Sequence, residues 1–118
     1  MTWVGQKLKR REDGPLIRGF GRYVGDMTVG AVFLRFVRSP VACGTVRSIT
    51  IPDDVSAFTM DDLTGVKPIR PLLFRPDYVA TEQTVLAKDQ IRFVGEAVVA
   101  VLGASAEEAE DNAERVIV

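Results

Sequence analysis

An unbroken apolar run, Ala97–Leu102, constrains the fold of this chain more than any other feature of its sequence. The run is six residues long, whereas a helix that crosses a membrane needs about 20 apolar residues. A run of this length without polar alternation is typical of a strand that is covered on both faces. We therefore predict one strand over Ile91–Leu102, with a bulge or a close backbone approach at Gly95-Glu96.

The segment 106–117, directly after this run, predicts the clearest helix of the chain. Ser105 is a good N-cap residue, and Glu108 three positions later completes a capping box. Apolar residues recur at helical spacing, and the small ones among them would let the helix lie close to a sheet. The apolar residues are Ala106, Ala109, Ala113, Val116 and Ile117.

Four shorter segments are bounded by turn-forming residues and either are rich in β-branched and aromatic residues or alternate between apolar and polar ones. We predict strands at Ala31–Arg38, Thr45–Ile51, Val55–Met60 and Thr84–Ala87. A single helical turn is expected over 61–65, where Gly65 would close it. The predicted fold class is α+β, with mixed strands and one well-capped C-terminal helix.

Two segments show no regular period. Residues 1–29 are predicted to form an irregular, polar N-terminal arm that glycines punctuate. Residues 66–81 contain Pro68, Pro71 and Pro76 and are predicted to form a long loop, whose apolar content argues against disorder. The length of 118 residues predicts one domain over 1–118.

The composition excludes several classes of active site. The chain has no histidine, which excludes Ser-His-Asp and Cys-His nucleophile systems and histidine-ligated metals. Its single cysteine, Cys43, excludes an internal disulfide and fits a reducing compartment. The net charge of −1 argues against nucleic-acid and membrane-surface partners. No apolar signal segment is visible in residues 1–30, so we expect a cytoplasmic protein.

Several motifs resemble functional sites only weakly. Gly19, Gly21 and Gly25 come close to a dinucleotide-binding fingerprint, but no strand precedes them, which favours a loop. The pairs Asp53-Asp54 and Asp61-Asp62 have the chemistry for acid–base or metal work. Both pairs lie at predicted element boundaries, where aspartate is favoured as a cap or turn residue.

Glu96 is the acid of greatest interest, because it follows a glycine and precedes the apolar run. The favoured interpretation is a structural salt bridge to one of the arginines. The alternative is a partly buried acid whose pKa is raised by burial. An independent small enzyme that uses Glu96 or an aspartate pair is the least favoured hypothesis.

The order of short motifs along the chain carries a family resemblance. In sequence they are Gly5-Gln6, Arg11-Glu12-Asp13, Gly19–Asp26, Phe36–Pro40, Asp62-Leu63, Glu82–Asp89, Ile91–Glu96 and the acidic helix Ala106–Val116. This series resembles the N-terminal α/β-hammerhead domain of the molybdopterin-binding large subunit of the xanthine dehydrogenase, aldehyde oxidase and carbon monoxide dehydrogenase family. The resemblance covers nearly the whole chain.

The resemblance implies a fold and a role within a larger enzyme. Family members oxidise a substrate carbon at a molybdenum–pterin cofactor and pass electrons to iron–sulfur clusters and FAD. Because the cofactor ligands and the catalytic base lie in later domains, no catalytic, cofactor-binding or metal-binding residue is assigned to this chain. The expected partners are the remaining domains of the large subunit and the iron–sulfur and FAD subunits. Self-association through exposed apolar surface is a further expectation.

By the same resemblance, the loop 66–81 corresponds to a segment near the substrate funnel of the family. We therefore predict that Leu72, Leu73, Phe74 and Tyr78 line a substrate channel in the assembled enzyme. The alternative is that these side chains pack beneath the loop itself. For the whole chain, the alternative to a structural domain is a stand-alone interaction module or a relict paralogue without enzymatic activity.

Overall fold

The computed structural model describes residues 4–27, 30–72, 75–79 and 81–118. The chain divides into two compact units, Met1–Ala31 and Val32–Val118. The first unit contains a short helix, α1 (Asp13–Ile17), and a 3-10 turn over Val24–Asp26. The predicted irregular arm did not include these helical segments, which are too short to give a periodic signal. The turn is closed by the Tyr23 amide, which donates to Asp26 Oδ2 at 2.8 Å.

The second unit contains five strands and one helix. They are β1 (Phe33–Arg38), β2 (Gly44–Thr45), β3 (Ala57–Phe58), β4 (Gln90–Ile91), β5 (Ala97–Gly103) and α2 (Ala106–Glu114). Strands β1, β5 and β3 form an antiparallel sheet in that order, with β5 in the centre. Strands β2 and β4 form a separate antiparallel pair. The α+β class is confirmed.

The apolar run forms the central strand, as predicted. Val98, Val99 and Val101 are fully buried in β5. They belong to a core that also contains Val55, Ala87, Ile91 and Val116. Burial on both faces explains why the run shows no polar alternation.

The single strand predicted over Ile91–Leu102 is wrong, because a turn divides it into β4 and β5. The Glu96 amide donates to the Phe93 carbonyl at 3.2 Å. Gly95 has a φ of +84°, and a Cβ built on it would meet no atom within 4 Å. Glycine is therefore required here for its left-handed conformation, and the predicted close backbone approach is also wrong. The register shift lies instead farther along β5: Val37 pairs with Val99 and Arg38 with Ala97, so Val98 is the extra residue.

The shorter strand predictions had mixed outcomes. Strands β1 and β3 form inside the predicted ranges Ala31–Arg38 and Val55–Met60. The predicted strand Thr45–Ile51 is wrong beyond its first residue: Thr45 pairs with Gln90, whereas Thr50 forms an isolated bridge with Ile117. Its two ends pair with different segments, so no continuous ladder forms between them.

Two further local predictions are wrong. Residues 84–87 form no strand, and the Ala87 amide makes a single backbone bond of 2.7 Å to the Ala97 carbonyl. Hydrogen-bonded turns replace the helical turn expected over 61–65: the amides of Asp62 and Leu63 donate to carbonyls three residues earlier, but no helix forms. Gly65 ends this stretch with a φ of +80°.

Helix α2 begins as predicted and ends three residues early. Ser105 Oγ accepts a bond of 3.1 Å from the Glu108 amide, which confirms the N-cap. The Glu108 side chain reaches the Ala104 amide at 2.7 Å, rather than that of Ser105. Ile117 leaves the helix to bridge Thr50. Among the described residues, no helix has the length and apolar character that crossing a membrane requires.

The antiparallel register assigns the side chains of the sheet to two faces. Gly103 lies beneath α2, because a Cβ on it would come within 2.8 Å of Ala109 Cα. On the same face of the sheet, Phe33 of β1 pairs with Gly103. Arg35 lies two positions after Phe33, and its guanidinium donates to Glu110 of α2 at 3.0 Å. The opposite face carries Leu34, Phe36, Phe58, Ala100 and Leu102. We call these five residues the open face, because Leu34, Phe36 and Phe58 are 49%, 36% and 41% exposed.

Candidate functional site

The loop 66–81 is closed at its base by an isolated antiparallel bridge. The Ile69 amide donates to the Gln83 carbonyl at 2.7 Å, and the Gln83 amide returns a bond of 3.1 Å. Arg70 and Glu82 form an ion pair directly beside this bridge. The described part of the loop is therefore an excursion whose two ends are held together, as the prediction of an ordered loop requires.

The four predicted channel residues differ in what the structure describes. Leu72 is 91% exposed, so its side chain does not pack beneath the loop. Tyr78 is half-buried, and its amide donates to the Arg75 carbonyl at 3.1 Å in a tight turn. Leu73 and Phe74 lie outside the described residues. An exposed leucine on a closed loop is free to contact a neighbouring surface or a ligand.

Glu96 lies in the turn between β4 and β5 and is 3% exposed. Its Oε2 accepts a bond of 2.6 Å from the Arg92 amide. The Arg92 guanidinium lies 3.9 Å from Oε1, at the outer limit of an ion pair. Oε1 is a buried side-chain oxygen without a hydrogen-bond partner. The carboxylate thus closes its own turn.

The backbone of the same turn is attached to the end of β1. The Ser39 amide donates to the Glu96 carbonyl at 2.9 Å, and the Gly95 amide donates to the Ser39 carbonyl at 2.8 Å. Arg38 Nη1 donates to the Gly95 carbonyl at 2.8 Å. Ser39 is itself buried. Glu96 therefore stabilises the contact between its turn and the end of β1, and it is not placed as an exposed acid or base.

Three of the four paired aspartates have structural partners. Arg115 Nη2 lies 2.6 Å from Asp54 Oδ1 and holds the pKa of that carboxyl below its ordinary value. The Asp61 carboxylate pairs with Lys88 and raises the pKa of the lysine ammonium. Bonds from the Thr59 amide, and then from its hydroxyl, lower the pKa of Asp62. Each of these carboxylates therefore has a structural partner of its own.

In the part of the chain that the structure describes, the remaining weak motifs do not come together into a binding site. Cys43 is exposed and carries a free thiol. Gly19 has a φ of +72° and follows the end of α1. A nucleotide-binding turn would instead have to follow a strand. No three histidine, cysteine, aspartate or glutamate residues of the described ranges lie together as metal ligands.

The fold belongs to a known family of domains. Residues 18–118 match the family model described as the a/b hammerhead domain of aldehyde oxidase and xanthine dehydrogenase. Because this match covers most of the chain, the chain belongs to the aldehyde oxidase and xanthine dehydrogenase hammerhead family. The resemblance found in the sequence and the predicted hammerhead fold are both confirmed.

The relatives are large enzymes. The chain is 34% identical over 127 residues to the gamma subunit of the 6-hydroxypseudooxynicotine dehydrogenase complex of Paenarthrobacter nicotinovorans, covering 98% of this chain and 16% of that protein. The crystal structure of quinoline 2-oxidoreductase from Pseudomonas putida 86 matches with a TM-score of 0.84 and 30% identity, over 96% of this chain and 15% of that one. A Cu,Mo-CO dehydrogenase structure matches with a TM-score of 0.79 and 30% identity, again over 96% and 15%.

In the described residues, the buried side-chain atom that lacks a partner does not suit the molybdenum–pterin cofactor that the family implies. An anionic pterin cofactor needs hydrogen-bond donors or cations directed into its binding site. The buried side-chain atom without a partner is instead Glu96 Oε1, a carboxylate oxygen that can only accept a hydrogen bond. No step of an oxidation is therefore assigned to these residues.

Sequence reasoning missed the open face. Apolar and polar residues alternate only partly in β1, because Phe33–Arg38 carries apolar residues on both faces. Such a pattern is typical of a strand covered on both sides, yet Leu34 and Phe36 remain exposed. The contrast between a buried-type sequence and an exposed face is the signal that could have located this surface.

Proposed function

We propose that this chain acts as a structural hammerhead domain of a molybdenum-cofactor hydroxylase or dehydrogenase large subunit and is not catalytic alone. The observation that carries the proposal is the family match over residues 18–118, together with the small share of each relative, 15–16%, that the chain spans. A domain of this kind contributes shape and a surface to an active site that other domains build.

The proposal also assigns the cofactors to other parts of the enzyme. The molybdenum–pterin cofactor would be held by the remaining domains of the large subunit, and the iron–sulfur clusters and FAD by partner subunits. We also place the assembled enzyme in the cytoplasm. The gamma-subunit designation of one relative supports an assembly of several subunits.

Within that assembly, we propose that the loop 66–81 lines the substrate channel through Leu72, Leu73, Phe74 and Tyr78. Apolar side chains at a channel exclude water and select substrates by shape, without forming or breaking bonds. The exposure of Leu72 supports this role, because a side chain 91% exposed in this chain is available to a substrate path.

The purified chain tests the proposal. We expect residues 1–118, produced in cells that make the cofactor, to contain no stoichiometric molybdenum and to oxidise neither aldehydes nor purines. Metal analysis by mass spectrometry and a dye-reduction assay measure these two properties. Stoichiometric molybdenum, or turnover without an added partner, would contradict the proposal.

A further inference from the structure

We propose that the open face is the surface through which this chain docks onto an adjoining part of the same large subunit. The inference rests on the proposed function and specifies which surface makes the contact. The occupant that it requires is a mainly aliphatic and aromatic surface.

The register gives the open face a defined shape. Leu34 lies opposite Leu102, and Phe36 and Phe58 lie on either side of Ala100. Ala100 is 8% exposed, whereas the two flanking phenylalanines are 36% and 41% exposed. Two large rings beside a methyl group form a shallow apolar trough across three strands.

Arg38 is a charged side chain that contacts the trough. Arg35 belongs to the opposite face of the sheet, where it pairs with Glu110. Arg38 follows the register shift between β1 and β5, and its guanidinium lies 5.3 Å from the centre of the Phe36 ring. A surface that docks in the trough therefore meets apolar atoms in its middle and a cation at one end.

The area of the open face distinguishes between the possible occupants. The exposed parts of its side chains amount to about 200–300 Å², since a whole aromatic side chain buries about 150–250 Å². A stable complex between free proteins needs about 800 Å² from each partner. A second copy of the chain would therefore be held weakly by this face.

A domain on the same polypeptide does not need that much area, because covalent linkage gives it a high effective concentration. The relatives are long enough to supply such a neighbour, since the chain spans 15% of the solved quinoline 2-oxidoreductase chain. Area and length together favour a tethered neighbour.

The outer side of α2 provides the contrasting surface. Three acidic residues are exposed on this side: Glu107, Asp111 and Glu114. We therefore expect this side of α2 to remain in contact with water. Burial of these exposed carboxylates against an apolar neighbour would be unfavourable. Asp111 is thus a suitable control position on the same unit.

Thiol labelling tests the proposal. In a Cys43→Ser background, Phe58→Cys reports on the open face, Leu34→Cys reports on its other end, and Asp111→Cys is the control. Each variant is made in the 118-residue chain and in a graft in which residues 18–118 replace the matching segment of the quinoline 2-oxidoreductase chain. The rate of maleimide labelling at each position is measured by peptide mass spectrometry.

We expect the thiols at positions 58 and 34 to react about tenfold or more slowly in the graft than in the isolated chain, because a thiol must be accessible to react. The thiol at position 111 should react at similar rates in both. Equal rates at position 58 would overturn the proposal. Labelling of the isolated chain that slows as its concentration rises would identify a second copy as the occupant and also overturn it. An insoluble graft beside a soluble unmodified host would instead overturn the proposed function, and this inference with it.

Discussion

At the scale of single residues, charged side chains have structural partners that lie far away in the sequence. Arg115 pairs with Asp54, 61 positions earlier, and Lys88 pairs with Asp61, 27 positions earlier. The sequence indicated that these aspartates lie at element boundaries, because that preference is local. It could not identify the cations, because the partner of a surface carboxylate depends on how the chain folds back.

Asp62 should make the stability of the chain depend on pH in the acid range. Bonds from Thr59 lower the pKa of Asp62 from its ordinary value of 3.8. A group whose pKa is lowered by folding stabilises the folded state above its ordinary value, and this contribution is lost as the pH falls through the folded value. We expect wild type to lose stability relative to Asp62→Asn as the pH falls below about 4, measured by urea unfolding. Parallel pH dependence in the two proteins would show that the Thr59 contacts do not form in solution.

Glu96 should contribute more to folding than any exposed glutamate. Its removal leaves the Arg92 amide of this part-buried bond without its acceptor, which costs about 1–3 kcal/mol. We expect Glu96→Ala to lower the free energy of unfolding by that amount in urea titrations. The matched control is Glu114→Ala on the exposed side of α2, which should change it by less than about 0.5 kcal/mol. Equal effects of the two substitutions would refute the assigned structural role.

At the scale of secondary structure elements, local signals identified β5 and α2 but not their boundaries. The apolar run and the Ser105 cap depend on neighbours within a few residues, so they could be predicted. The break between β4 and β5 could not, because it depends on Ser39 bonding the backbone of Gly95 and Glu96. Thr50 likewise pairs with the end of the chain, which no local pattern indicates.

The contact between β5 and α2 should tolerate no side chain at Gly103. A Cβ there would lie 2.8 Å from Ala109 Cα, which is backbone and cannot move independently. We expect Gly103→Ala to destabilise the fold by about 1–3 kcal/mol through overpacking. Gly44→Ala is the control, because its Cβ would meet Val41 Cγ2 at an ordinary 3.5 Å. Chemical unfolding compares the two, and a neutral Gly103→Ala would mean that α2 does not pack on β5 this closely.

Loop 66–81 should depend little on Leu72 for its stability. Because Leu72 is 91% exposed, Leu72→Ser should leave the free energy of unfolding within about 0.5 kcal/mol of wild type. In the quinoline 2-oxidoreductase graft, the same substitution should raise KM for the substrate more than it lowers kcat. A large loss of stability would instead support the alternative in which the side chain packs beneath the loop.

At the scale of the whole molecule, the family could be identified from the order of motifs, whereas the surface that meets other domains could not. The motifs from Gly19 to Val116 lie within residues 18–118, which the family model matches. The open face required coordinates, because only the register of β1 and β3 against β5 brings Leu34, Phe36 and Phe58 to one side.

A graft of residues 18–118 into the matching segment of the Cu,Mo-CO dehydrogenase chain tests most directly whether this chain is a structural domain of a molybdenum enzyme. Two proteins are compared with the unmodified host: the graft, and a deletion that lacks the matching segment. Molybdenum per large chain is measured after purification. We expect the graft to retain most of the host's molybdenum and the deletion to lose it. A graft as empty of molybdenum as the deletion would contradict the proposed role.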